Sequence, residues 1–246
     1  MIRLPVPAKR MALTLVILMT LAAPSAITLW ISTPPADDIQ QRVLEATTAH
    51  GVVLLNEEEV PPLLAQAVVA TEDERFYAHH GIDTIGLGRA VLYDATHFCL
   101  CQGGSTITEQ LVKDIYLNGT NEGYNKIVDV VMALKVERVI GKKRIMADYL
   151  SEITTGLNRY GVSSAACAYF HRPLDNLTIG QYALLAGVTQ SPSLYDPTVD
   201  PGLAALRRSS VLAAMVADSF ITPEQAATAN AEPVLASGPP PASCPA

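Results

Sequence analysis

Thr71-Glu72-Asp73-Glu74-Arg75-Phe76-Tyr77-Ala78-His79-His80-Gly81-Ile82-Asp83 packs acids, aromatics and two histidines into one short run. The preceding Pro61-Pro62 suits the first turn of a helix, and the spacing predicts that this helix continues to about His79. Glu72, Phe76 and His79 would then share a face, with Gly81 ending the helix just past its last turn. A carboxylate held beside an aromatic at a cleft edge has its pKa raised, which is the environment a general acid or base needs. Asp73 reads as a hydrogen-bond acceptor that orients the helix. His79 and His80 are neighbours in sequence, point to different faces and make a poor chelate with Asp83. They read as packing groups, and no metal site is expected.

A second run, Gly103-Gly104-Ser105-Thr106-Ile107-Thr108-Glu109-Gln110-Leu111-Val112-Lys113, sharpens the first. Thr106 to Glu109 is a capping-box signature that starts a helix. The free N–H groups of Gly104, Ser105 and Thr106 at that start, with the helix dipole, favour an anion. Lys113 stands on the same helix and could instead pair at i,i+4 with Glu109. Further on, Lys126 and Asp129 interrupt an apolar helix at i,i+3. A buried charge pair is costly unless it is used or satisfied, so this is either a site or a plain intrahelical ion pair.

Together these runs resemble the peptidoglycan glycosyltransferase family (glycosyltransferase family 51), the transglycosylase domain of class A penicillin-binding proteins and of monofunctional transglycosylases. The resemblance covers roughly three quarters of the chain, to near Glu232. It implies a lysozyme-like, mainly α fold behind one N-terminal transmembrane helix. It also implies inverting transfer from an undecaprenyl-pyrophosphate-linked disaccharide, joining lipid II units by β-1,4 bonds. Glu72 matches the family's general base and Asp129 its second acidic residue. Lys113 and Lys126, with Gly104, Ser105, Thr106 and Gln110, match its donor-binding groups. Asp73, Phe76 and His79 would support the site, and Gln190 would line it. Four positions depart from the pattern: Glu109 for Gln, Asn125 for Arg, Asp129 for Glu and Ser151 for Asn. Glu109 would partly cancel Lys113, and Asp129 would fall about 1.5 Å short, enough to slow a positioned reaction. Thr189 also replaces a proline in Ala183-Leu184-Leu185-Ala186-Gly187-Val188-Thr189-Gln190, and Arg207-Arg208 continues the likeness as structure.

The 246 residues suffice for one domain with a sizeable core. A net charge of −7 leaves no basic footprint for nucleic acid. Met11 to Ile31 carries no charge and is about long enough to cross a bilayer. Arg3, Lys9 and Arg10 precede it, which puts residues 1–10 in the cytoplasm and the rest outside. A cleaved signal peptide is the rival, although Pro24-Ser25-Ala26 is a poor cleavage site. The remaining bounds are a linker and approach segment at 32–59, a glycosyltransferase domain at 60–232 and a disordered Pro-rich tail at 233–246. Within the approach segment Gly51 to Leu55 reads as a short strand or an extended run.

Helices are expected from Ile85 to Thr96, Lys126 to Ile140, Lys142 to Glu152, Ser163 to Phe170, Thr178 to Gly187 and Pro201 to Ser219, with another starting after Thr222. Strand signals are scarce. The expected partners are lipid II, the growing glycan strand, the bilayer of the cell (inner) membrane and a separate transpeptidase. No cofactor is required, though a divalent cation could assist at the pyrophosphate. Cys99, Cys101, Cys167 and Cys244 would sit where disulfides are permitted, with their pairing left open. Two rival functions are a degenerate lipid II- or glycan-binding scaffold and a lysozyme-like glycan hydrolase.

Overall fold

The computed structural model describes residues 24–25, 27–97, 104–120, 122–237 and 244. Two thirds of the expected membrane span at Met11 to Ile31, residues 11–23 and 26, lies outside these residues. No helix among the described residues is long and apolar enough to cross a membrane. Residues 27–32 are helical. From this stretch Trp30 stacks under two cations of the domain, with Arg138 at 4.5 Å and Lys135 at 5.1 Å from its ring centre. Lys135 Nζ also donates to the carbonyls of Thr33 (2.9 Å) and Pro34 (2.8 Å).

The chain then runs through α1 (Ile39–His50), α2 (Pro62–Glu72), α3 (Thr84–His97), α4 (Ile107–Tyr116), α5 (Tyr124–Val139) and α6 (Lys142–Glu152). A small antiparallel hairpin follows, β1 (Thr154–Gly156) with β2 (Arg159–Tyr160), in the register Thr154 to Tyr160. It leads to α7 (Val162–Phe170), α8 (Ile179–Val188), α9 (Pro192–Tyr195), α10 (Pro201–Ala217) and α11 (Pro223–Asn230). The mainly α expectation holds, and the helix bounds agree to within two residues from α3 to α8 and at α10. The approach segment differs. Ile39 to His50 is a helix, closed by Gly51 in the left-handed region at φ 67°, and Val52 to Asn56 continues it without a strand.

The core sits around α8. From Tyr182 to Val188 every residue of α8 is buried, and α2 and α10 pack against it. Its apolar surface all round makes it a core helix rather than an amphipathic one. The capping box expected at Thr106/Glu109 forms, and the helix expected after Thr222 starts with one at Thr222/Gln225, as does α8 at Thr178/Gln181.

The expected disordered tail falls partly outside the described residues and is corrected where it does not. Val234 and Leu235 pack on the core, and the Ala236 amide donates to the Tyr169 carbonyl at 2.8 Å. Cys244 forms a disulfide with Cys167, their Cα atoms 5.2 Å apart.

Candidate active site

The decisive run does not form one helix. Helix α2 ends at Glu72, and Asp73 leaves it at φ −159°, ψ 73°. Phe76 and His79 therefore do not share a helical face with Glu72; they sit in turns, both buried. Tertiary contacts override the local helical spacing. Asp73 Oδ2 accepts from the Ile107 amide at 3.1 Å, at the buried N-terminal end of α4, and from His79 Nε2 at 2.9 Å. Lys142 Nζ lies 3.5 Å from the other ring nitrogen of His79. Gly81 serves a different purpose from a helix stop. It has φ 83°, and an added Cβ would come within 2.9 Å of the Ala133 carbonyl carbon and the Leu134 nitrogen of α5. Glycine is required there by close approach as well as by dihedral.

These contacts fix Glu72 at the mouth of a turn. Its Oε2 accepts from Gln110 Nε2 at 3.0 Å, and Gln110 Oε1 accepts from the Tyr149 hydroxyl at 3.2 Å. Arg207 Nη2 lies 3.6 Å from Glu72 Oε1. Both facing atoms are buried and lack a hydrogen bond. Burial pushes the Glu72 carboxyl above its ordinary value, against the pull of Gln110, Arg207 and Lys113. A carboxylate with a raised pKa and an uncommitted oxygen has the properties of a general base. A cavity of about 80 Å³ opens beside it, lined by Glu72, Asp73, Glu74, Arg89 and Ser105 among others. Phe76 underlies this corner, with Lys142 Nζ 4.3 Å from its ring centre.

The second cluster is built on Lys126. Its Nζ donates to Ser105 Oγ (3.0 Å), Glu109 Oε1 (2.7 Å) and Asp129 Oδ2 (3.0 Å). Burial pulls the Lys126 pKa down, but the two carboxylates outweigh it and the net shift is upward. This corrects the expectation for Glu109: it neutralises Lys126, and Lys113 instead lies 3.5 Å from Asp114. Glu109 also accepts from the Thr106 amide through Oε2 at 2.9 Å, so the capping box and the ion pair share one side chain. Asp129 has no exposed surface. Its Oδ2 meets Lys126, which is the more exposed partner of the two.

The other sequence candidates divide. Gly104 and Ser105 line the cavity by Glu72, as does the buried Thr106, whose hydroxyl donates to the Gly81 carbonyl at 2.7 Å. Gln190 is exposed in the turn after α8. Asn125 donates to Thr120 Oγ1 at 3.3 Å, a loop contact. Ser151 is structural: it accepts from the Leu55 amide at 2.9 Å and donates to the Ala147 carbonyl at 2.7 Å. Tyr149 and Arg207 are site residues that sequence reading missed. Tyr149 falls within the helix expected from Lys142 to Glu152 and Arg207 within a pair expected to be structural, and no local pattern separates Arg207 from Arg208, which donates to the Asn230 carbonyl at 2.8 Å.

The family model described as Transglycosylase matches residues 39–216. The chain belongs to the transglycosylase family. This transglycosylase domain is 39% identical to penicillin-binding protein 1A of Vibrio cholerae over 178 residues, 72% of this chain and 22% of that protein. It is 37% identical to penicillin-binding protein 1A of Escherichia coli over 168 residues, 68% of this chain and 20% of that one. A crystal structure of penicillin-binding protein 1A from Haemophilus influenzae aligns over 76% of this chain and 18% of that one, with TM-score 0.44 and 22% identity. The transglycosylase chain thus spans about a fifth of the length of the curated relatives it matches.

Proposed function

We propose that this chain is a peptidoglycan glycosyltransferase that polymerises a lipid-pyrophosphate-linked disaccharide (lipid II). The observation that carries the reading is Glu72: buried, raised in pKa, held by Gln110 and facing Arg207 across 3.6 Å. A sugar hydroxyl of one unit attacks the anomeric carbon of another. Its proton passes to Glu72, the new C–O bond forms, and the bond to the pyrophosphate oxygen breaks, its electrons leaving with the pyrophosphate. Inversion turns an α-linked donor into a β-1,4 product. Lys113 and Lys126 supply positive charge for the leaving group. If a divalent cation assists, it does so at the pyrophosphate.

A lipid-borne substrate fits the surface beside the cleft. Helix α3 contributes Gly86, Leu87, Arg89 and Ala90 to the cavity wall, while Ile85, Val91 and Leu92 on the same helix are more than half exposed. Apolar exposure of this kind, next to a site, marks a lipid or protein contact. With Met11 to Ile31 as an anchor, the domain would face the extracytoplasmic side of the inner membrane, acting on lipid II and the growing strand beside a separate transpeptidase. The rival reading, a binding member with little turnover, draws support from the saturated Lys126. Incubating the purified full chain with labelled lipid II separates the two on a gel: glycan ladders that vanish in Glu72→Gln support polymerisation, and their absence from the wild type refutes it.

A further inference from the structure

An ammonium group has three N–H donors, and all three of Lys126 are taken, by Ser105, Glu109 and Asp129. A phosphate oxygen can reach this cation only if one acceptor lets go. Asp129 is fully buried and sits one turn along the same helix. Ser105 is neutral. Glu109 makes the shortest of the three contacts, at 2.7 Å, and its other oxygen is fixed by the Thr106 amide. Glu109 therefore cannot follow Lys126 when the lysine turns toward a ligand. With only 2% of its surface exposed, Glu109 is not replaced cheaply by water either.

We propose that Glu109 is a positioning residue for Lys126: a built-in carboxylate that competes with the donor's pyrophosphate for the lysine and so weakens donor binding. The inference rests on the proposed function for the identity of the anion, but not for the competition itself. A glutamine at this position would keep the capping box, its Oε1 accepting from Thr106. Its Nε2 would then face Lys126 as a donor and return one N–H to the site. Glu109 thus sets the charge of the cluster. Lys126 with Glu109 and Asp129 carries a net negative charge, and with a neutral residue at 109 it is balanced, before Lys113 is counted.

The test uses the full chain and inorganic pyrophosphate, with binding measured calorimetrically without divalent ions at several salt concentrations. Glu109→Gln is expected to bind pyrophosphate about five- to tenfold more tightly than wild type, a gain kept modest because Lys126 is partly solvated. The affinity should also fall more steeply with salt. Glu109→Asp, which draws the carboxylate back from Nζ, should give a smaller gain, and it carries the test should the Gln variant fail to fold. With labelled lipid II, Glu109→Gln should lower KM while kcat stays near the wild-type value. Unchanged or weaker pyrophosphate binding in the folded variants overturns the proposal, as does an absence of pyrophosphate binding in wild type and variants alike. Tighter pyrophosphate binding with no polymerisation by any form would retain the competition and sink the glycosyltransferase reading instead. Polymerisation with indifferent binding would do the reverse.

Discussion

Replacing Asp73 by alanine should destabilise the domain and misplace Glu72 in one stroke. The Asp73 side chain is 3% exposed and accepts from two buried donors, the Ile107 amide at 3.1 Å and His79 Nε2 at 2.9 Å. Alanine leaves both donors without an acceptor, and water cannot enter readily to replace it. A buried donor left unsatisfied costs about 1–3 kcal/mol, so the pair comes to roughly 4 kcal/mol. At about 2–4 °C per kcal/mol for a chain of this size, Tm should fall by roughly 8–16 °C. Asp73→Asn keeps one acceptor oxygen and should lose about half as much. Because Asp73 is the residue next to Glu72 and joins it to the start of α4, activity should fall further than stability alone explains. A 1 Å error in a catalytic group costs on the order of a hundredfold. Thermal melts at neutral pH, with lipid II polymerisation assayed well below each variant's Tm, supply both numbers. An Asp73→Ala protein melting within about 2 °C of wild type would refute the view that this carboxylate holds the corner together.

Glu72→Gln should lower polymerisation by about 10² to 10⁴ while stabilising the fold at alkaline pH. The folded protein raises the Glu72 pKa, so the stability this group contributes is present below its ordinary value of 4.5 and lost as pH rises through the raised value. Melts of the two proteins should accordingly coincide near pH 4 and part near pH 8, with the Gln variant higher; a wild type that stays the more stable at pH 8 contradicts the assignment. Burial, with Asp114 adding to it, pushes Glu152 up to about 7 from 4.5. The same sign applies, so stability is lost between those values. Glu152→Gln should remove at most about 3 kcal/mol of that loss, less what His50, 3.0 Å away, returns when charged; a melt series showing the same pH slope with and without Glu152 rejects this. Gly81→Ala, forced against the α5 backbone and into left-handed strain, should cost at least about 2 kcal/mol and reduce activity through the Thr106 contact, as denaturant titration and the lipid II assay would record.

Much of the fold was legible because its signals are local. The capping box at Thr106, the helix start at Thr222 and the apolar periods from α4 to α10 depend on residues close in sequence, and all survive in the structure. The run from Glu72 to Gly81 was expected as one helix, and the helix ends at Glu72. Its shape is set by groups far along the chain: the Ile107 amide, Lys142 and the α5 backbone. The same holds for Glu109. Its capping role follows from spacing, whereas its choice of Lys126 over Lys113 depends on how α4 and α5 pack. Arg207 was hidden for the converse reason. Two adjacent arginines on α10 look alike in sequence, and only the helix's rotation against α8 sends one toward Glu72 and the other toward α11.

The clamp on Trp30 has a mechanical meaning. Between that ring and the first core helix the chain could have been a slack leash, letting the catalytic body wander and tumble. Instead Lys135 and Arg138 grip the ring and Lys135 also holds the Thr33 and Pro34 carbonyls. The helical residues 27–32 therefore act as a bracket, and whatever they are mounted on dictates the standing height and tilt of the cleft. Four residues inserted upstream of Trp30 as continued helix would lift the whole body by about 6 Å and swing it by about 40°, at 1.5 Å and 100° per residue. Reach toward a substrate held at fixed depth would then change without any alteration inside the site.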